Sequence, residues 1–201
     1  MKKDCVTLAR PPITVAAGPH TEVLREIACD GIDLAVWERS LDPALVRETS
    51  ALDLDGIDDL LLACDAGSVE TQLGALLKDS GYPESPLLCA DIAALAARHA
   101  VLLGDCRVRI RLEVVETDAC RKFHADFVTV RTITTYRGRG TQWQHANAPG
   151  VQTINEMRFG TVGLFKGRLL QPEPSVLHRS PPIADSGESR LVLVIDSIGS
   201  G

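Results

Sequence analysis

Arg107-Val108-Arg109-Ile110-Arg111-Leu112-Glu113-Val114 alternates charged and apolar residues without interruption. Successive side chains on a β-strand point to opposite faces, so this stretch reads as a strand with one apolar and one wet face. It also marks a change of texture along the chain. Downstream, Phe127 to Tyr136 is rich in Val, Thr and Ile, and Gly138 and Gly140 mark a turn. Strand-like pieces recur at 141–144, 151–154, 161–165, 176–178 and 189–196. Many short strands with frequent turns point to a sandwich or barrel.

Upstream the pattern is mostly helical. Residues 1–20 contain prolines and carry no periodicity, and Ile32 to Trp37 alternates like a short strand. Asp42-Pro43 reads as an N-cap followed by proline at the first helical position, opening a helix to about Glu48. Apolar residues fall at helical spacing over 55–64 and 68–78, and Gly81-Tyr82-Pro83 breaks the chain. Pro86 to Leu103 is the longest helical run, with Gly104 as its terminator. The expected class is α+β: a helical N-terminal support region, 1–104, packed on an all-β C-terminal region, 105–201, as one compact unit.

Composition narrows the function classes. The chain has 201 residues, 45% apolar and 24% charged, which is ordinary for a globular protein. Met1-Lys2-Lys3 is followed by no apolar run, and Pro11 and Pro12 interrupt the next stretch. No signal peptide is expected, and no segment is read as long enough to cross a bilayer, so the expected location is the cytoplasm. The six cysteines are scattered, with no C-x-x-C pair, which favours free thiols over a disulfide framework or a zinc finger. A net charge of −6 argues against nucleic acid as a partner. Acidic residues crowd 22–91 and basic residues crowd 107–139. These are either two solvated faces or, in the sharper reading, a basic mouth for an anionic substrate.

Three residues in the β half are candidate metal ligands. His124 and Asp126 form an H-x-D triplet whose side chains can share one face. His178 follows 52 residues after Asp126, just before Pro181 and Pro182. Two imidazoles and one carboxylate make the facial triad of non-haem Fe(II) oxygenases, a set that leaves positions open on the metal. Arg190 follows inside an apolar strand; an arginine buried there requires an anion, and the carboxylate of a bound keto acid would supply one. Taken singly, these features are ordinary: a surface turn, a loop histidine, a solvated arginine. Their order along the chain gives them weight.

That order carries a family resemblance. Cys120-Arg121-Lys122-Phe123-His124-Ala125-Asp126, Thr135-Tyr136-Arg137-Gly138-Arg139-Gly140-Thr141-Gln142-Trp143, Lys166-Gly167, His178-Arg179-Ser180-Pro181-Pro182 and Arg190-Leu191 resemble an uncharacterised bacterial family, domain of unknown function 1826. Trp37-Glu38-Arg39 resembles its N-terminal part. More distantly, the chain resembles the prolyl-4-hydroxylase-like Fe(II)/2-oxoglutarate oxygenases. This resemblance implies a double-stranded β-helix of the jelly-roll or cupin type. It implies that His124, Asp126 and His178 hold iron, that Arg190 binds the distal carboxylate of 2-oxoglutarate, and that Tyr136 hydrogen-bonds to it. The substrate, a small molecule or a protein, stays open, as does the oligomeric state.

Two departures from the oxygenase pattern open a second reading. The turn reads Gly138-Arg139-Gly140-Thr141 rather than an acidic version, and Cys120 stands four residues before His124. A thiolate shifts metal preference toward zinc, so Cys120, His124, Asp126 and His178 could form a closed site. The protein would then be a non-catalytic zinc-binding protein linked to metal homeostasis. A third reading is a metal-free protein-binding module. His145 is a further candidate ligand or substrate contact, with an exposed loop position the plainer reading. His99 reads as a satisfied core histidine and His20 as a surface residue. Trp143 lines a pocket or packs in the core; Lys166 anchors an acid or sits in a turn; Glu116 and Asp118 flank the entrance or are solvated. No P-loop, nucleophile elbow or dinucleotide fingerprint occurs.

Overall fold

The computed structural model describes residues 14–146, 153–184 and 186–199. In chain order the elements are β1 (Val15–Gly18), β2 (Leu34–Trp37), α1 (Pro43–Ser50), β3 (Leu60–Asp65), α2 (Val69–Asp79), α3 (Pro86–Leu103) and β4 (Arg107–Val115). They continue with β5 (Val130–Arg137), β6 (Gln142–His145), β7 (Asn155–Glu156), β8 (Val162–Lys166), β9 (Val176–Arg179) and β10 (Arg190–Ser197). A large sheet has the order β1-β2-β8-β5-β10-β4-β3, and a small one β7-β6-β9. The β1–β2 pair is parallel, whereas β3, β4, β5, β8 and β10 pair antiparallel with their neighbours.

Strand alternation assigns the faces. Val108, Ile110 and Leu112 of β4, Val130 and Tyr136 of β5, and Leu191, Leu193 and Ile195 of β10 join a core with Leu45 of α1, Leu73 of α2 and Leu88, Ile92 and Leu95 of α3. The other face of the same strands gives Ile133, Val192 and Val194 to a second core, with Phe165, Val176 and Met157. Strand β10 is therefore apolar on both faces, and its sequence runs Leu-Val-Leu-Val-Ile rather than alternating with polar residues. The second core is the inside of the β-sandwich, and it is where the candidate ligands face.

Several local expectations hold for identifiable reasons. Asp42 caps α1, its carboxylate accepting from Ala44 N at 2.7 Å. Gly104 ends α3 at φ 70°, a left-handed conformation that glycine adopts without strain. Strands β4, β5, β8, β9 and β10 lie within a few residues of their expected positions. Of the expected piece at 151–154, residues 151–152 lie outside the described residues; β7 follows at Asn155.

Other expectations are corrected. The N-terminal region is not wholly helical: β1, β2 and β3 are strands of the large sheet, and the core around α3 draws on both sides of residue 104. Residues 55–64, expected as helix, instead contain the end of a short 3-10 turn, Leu54–Gly56, and most of β3. Leu60-Leu61-Leu62 is too short and unpatterned to distinguish the two states; pairing with β4 decides for strand. Helix α3 is also long and apolar enough, with mean hydropathy 1.6, to meet the criterion for a membrane span, contrary to expectation. It carries Asp91, ion-paired to Arg39 at 2.6 Å, and buries His99 against Thr132 and Ser197, as a helix packed on a sheet does.

Candidate metal centre

The site begins as a backbone arrangement. His124, between β4 and β5, pairs with His178 of β9 as an isolated antiparallel bridge. The two amides donate to each other's carbonyls at 3.0 and 2.9 Å. Two residues on, the Asp126 carbonyl accepts from Arg168 N at 2.8 Å. Gly167 abuts the Val128 and Asp126 carbonyls so closely that a Cβ would overlap the Val128 oxygen. The Lys166-Gly167 motif thus works as a backbone clamp on the H-x-D segment. The Lys166 ammonium itself donates to the Cys29 carbonyl at 2.9 Å.

One ligand atom each from His124, Asp126 and His178 falls within 4.8 Å of the others. His178 Nε2 lies 3.0 Å from Asp126 Oδ2, and His124 Nε2 lies 3.7 Å from Asp126 Oδ1. The His124 Nδ1 atom is 2.8 Å from the Lys122 carbonyl, an acceptor, so Nδ1 donates there and Nε2 is the nitrogen left to face a metal. Asp126 Oδ2 is buried and has no assigned hydrogen-bond partner among the described residues, with His178 Nε2 3.0 Å away. A buried carboxylate oxygen without a donor is costly, and two imidazoles converge beside it. A cation ligated by all three resolves both features, so the donor set fits a divalent metal.

The electrostatics agree. Burial alone would raise the Asp126 carboxyl, but His178, Arg131 and His124 outweigh it and hold the group near about 2. Burial lowers His178 against the pull of Asp126, which favours the neutral imidazole that a metal requires. Arg131 lies with a guanidinium nitrogen 2.6 Å from Asp126 Oδ1 and forks onto Asp196 with two bonds of 2.7 Å.

A cavity of about 420 Å³ opens beside the three side chains, walled by Ile133, Val192 and Val194, with Thr141 and Ser180 on its lining. Its volume suits a small molecule. Behind Ser180 lies Arg190, with no exposed surface. Its guanidinium donates to the Arg139 carbonyl at 2.6 Å, Ser180 Oγ at 2.8 Å and Thr135 Oγ1 at 3.3 Å. Among the described residues no carboxylate lies within ion-pair distance of it. Burial lowers its pKa to about 10 despite the nearby Glu156.

The remaining expected residues separate clearly. Tyr136 is a correction: alternation along β5 turns it to the helical face, where its hydroxyl donates to Asp91 Oδ2 at 2.6 Å, away from the cavity. Thr135, one residue earlier, occupies the inward position beside Arg190. Cys120 is exposed on the cavity wall and its carbonyl accepts from Ser180 N at 3.0 Å, but its sulfur is not among the converging ligand atoms. His145 is exposed at the end of β6, 3.2 Å from Thr14 Oγ1. His99 is buried between Thr132 and Ser197, as expected. His20 is exposed. Trp143 packs against the inner core, Asp118 accepts from the amides of Ile183 and Ala184, and Glu116 lines the cavity.

The basic mouth is not a uniform field. Arg111 pairs with Glu113 at 2.8 Å, Arg131 is held by two aspartates, and Asp59 and Glu116 line the same wall. In the sequence Arg131 counts only as one of the basic residues crowded over 107–139, and Asp196 carries no signal of its own. Arg131 sits in a threonine-rich strand and Asp196 at the end of an apolar run, and they face each other in the β5–β10 register.

These features define a class: a mixed, sheet-rich fold of the double-stranded β-helix type, with a His-Asp-His cluster inside the sandwich. The chain belongs to the family described as protein of unknown function (DUF1826), whose profile matches residues 18–196. No curated protein matches the sequence. Among solved structures it is similar to the rice dioxygenase for auxin oxidation, at TM-score 0.55 and 16% identity over 93% of this chain and 83% of that one. It is also similar to dioxygenase for auxin oxidation 1 from Arabidopsis thaliana, solved with 2-oxoglutarate, at TM-score 0.51 and 12% identity over 79% and 73% of the two chains. A Pseudomonas putida prolyl-4-hydroxylase matches at TM-score 0.48 and 19% identity, over 89% of this chain and 98% of its own. At these identities the likeness concerns the fold.

Proposed function

We propose that this protein is a non-haem Fe(II)/2-oxoglutarate-dependent oxygenase acting on a substrate that enters the cavity beside His124. One observation carries the reading. Arg190 is fully buried with no carboxylate partner among the described residues, and it bonds to Ser180 on the lining of a cavity that also holds three metal-type donors. A buried guanidinium lacking an acid is unfavourable alone and calls for an anion. A dicarboxylic keto acid would suit both: Arg190 would take one carboxylate, and the metal held by His124, Asp126 and His178 would take the 2-oxo acid end. The Arabidopsis neighbour, solved with 2-oxoglutarate, supports the choice.

His124, Asp126 and His178 would hold the iron through one atom each and leave positions open for cosubstrate and dioxygen. Iron and a bound 2-oxo acid together supply the oxidising chemistry that attacks a substrate C–H bond. The chain's own residues fix the ligands, orient the cosubstrate through Arg190, Thr135 and Ser180, and wall the pocket with Ile133, Val192 and Val194 against water. The test is anaerobic titration of the apoprotein with Fe(II) and 2-oxoglutarate. A weak visible charge-transfer band that saturates with both is expected; its absence together with tightly held zinc would end the oxygenase reading.

A further inference from the structure

The sandwich interior holds a second charged group that the ligand set does not use. Arg131 stands between two carboxylates, the half-buried Asp126, which it touches at Oδ1 at 2.6 Å, and the buried Asp196, onto which it forks with two bonds of 2.7 Å. The Arg131–Asp196 pair is complete in itself, both groups nearly enclosed. Arg131 therefore has a further nitrogen for Asp126 without losing its own neutralisation, as a planar guanidinium allows and an ammonium does not. The outcome is asymmetric: Asp126 Oδ1 is engaged by Arg131, and Oδ2 has no assigned donor among the described residues and lies beside His178.

We infer that Arg131 is a positioning residue that forces Asp126 to offer a single oxygen to the metal, and that Asp196 aims Arg131 for this task. The inference rests on the metal-site reading above. A carboxylate free to turn could bring both oxygens to the ion and close a position that a chelating keto acid needs. With Oδ1 held by Arg131, the protein contributes three single-atom donors. The same inward face of β10 carries both Arg190 and Asp196, so one strand holds the cosubstrate anchor at one end and the carboxylate that aims Arg131 of β5 at the other. Partners behind a metal ligand typically change metal affinity or activity by roughly 10–100-fold when removed.

The experiment uses the full chain, Co(II) as a spectroscopic stand-in for the metal, and 2-oxoglutarate as the added acid. Arg131→Gln and Arg131→Lys are compared with wild type, with thermal melts to verify folding. Expected for Arg131→Gln is a Co(II) affinity roughly 10–100-fold lower, a changed d–d spectrum reporting a different coordination number, and a larger fall in affinity for 2-oxoglutarate on the loaded protein. Arg131→Lys keeps a charge but loses the planar fork that holds Asp196 with two nitrogens while a third meets Asp126, so it recovers part of the affinity and not the wild-type spectrum. If Arg131→Gln does not fold, Arg131→Lys decides alone by the same spectrum. Wild-type affinity and an unchanged spectrum in the folded variants overturn the role of Arg131 and leave the metal site standing. A wild-type protein that takes up no Co(II) overturns both.

Discussion

His124 and His178 are bonded to each other through their backbones in both directions, amide to carbonyl at 3.0 and 2.9 Å. The bridge is isolated, joining His178 of β9 to His124 in the connection between β4 and β5, and its two members bear the imidazoles whose ring centroids sit 4.8 Å apart. Main-chain bonds therefore fix the distance between two candidate ligands before any metal arrives. Side chains held this way need little reorganisation on binding.

The buried arginine gives a first prediction. Arg190→Ala removes the charge that faces the cavity through Ser180 while leaving His124, Asp126 and His178 in place. Loss of one member of a buried charge pair costs about 2–5 kcal/mol. Affinity for 2-oxoglutarate on the metal-loaded protein should fall on the order of a hundredfold, with metal affinity retained. Calorimetric titration checks both; undiminished keto-acid binding removes Arg190 from the cosubstrate site.

Cys120 separates the iron and zinc readings. Its thiol is exposed on the cavity wall and outside the converging set. Cys120→Ser should leave metal affinity within about threefold of wild type, because the three converging donors are untouched. Metal competition with a chromophoric chelator measures it. Loss of binding would restore the four-ligand zinc site.

The glycine clamp behind Asp126 is testable as stability. Gly167→Ala would press a methyl group into the Val128 carbonyl, and backbone cannot move aside cheaply. We expect a loss of about 2–3 kcal/mol and a fall in melting temperature of roughly 4–12 °C, together with weaker metal binding as the H-x-D segment shifts. Gly67→Ala, which meets open space, is the control and should stay within about 0.5 kcal/mol. Equal melting curves for the two variants would discard the clamp.

His99 sets an acid limit on stability. Burial lowers its pKa to about 4 from an ordinary 6.5, against the pull of Asp196 and Asp105. Between those values the unfolded chain binds a proton that the folded protein refuses. The contribution of neutral His99 is thus fully present above about pH 6.5 and declines as pH falls toward about 4. The full loss is on the order of 3 kcal/mol. Urea unfolding of wild type and His99→Gln at pH 7 and 4.5 reads it as the difference in slope. Parallel pH dependences would assign the acid sensitivity to other groups.

Much of the fold was legible where periodicity is unambiguous. Arg107 to Val114 alternates over enough residues to exclude a helix, and Pro86 to Leu103 is long, apolar and closed by Gly104. Leu60-Leu61-Leu62 was not legible, because a short apolar run suits either state until a neighbouring strand claims it. The order H-x-D, histidine, arginine named the candidate ligands and anchor, since chemistry limits which residue types can serve. Arg131 and Asp196 stayed hidden: each reads as an ordinary strand charge, and only the β5–β10 register brings them opposite each other.

By itself, then, the sequence determined which residues could hold a metal and an acid, because donor atoms and charge belong to side chains wherever they lie. Tertiary structure alone decided which of them meet. Strand alternation turned Tyr136 toward α3 and Thr135 toward Arg190, and the bridge between His124 and His178 joined two distant segments. Facing and long-range pairing depend on register, and register is set by the packing of the whole sheet rather than by any one stretch of chain.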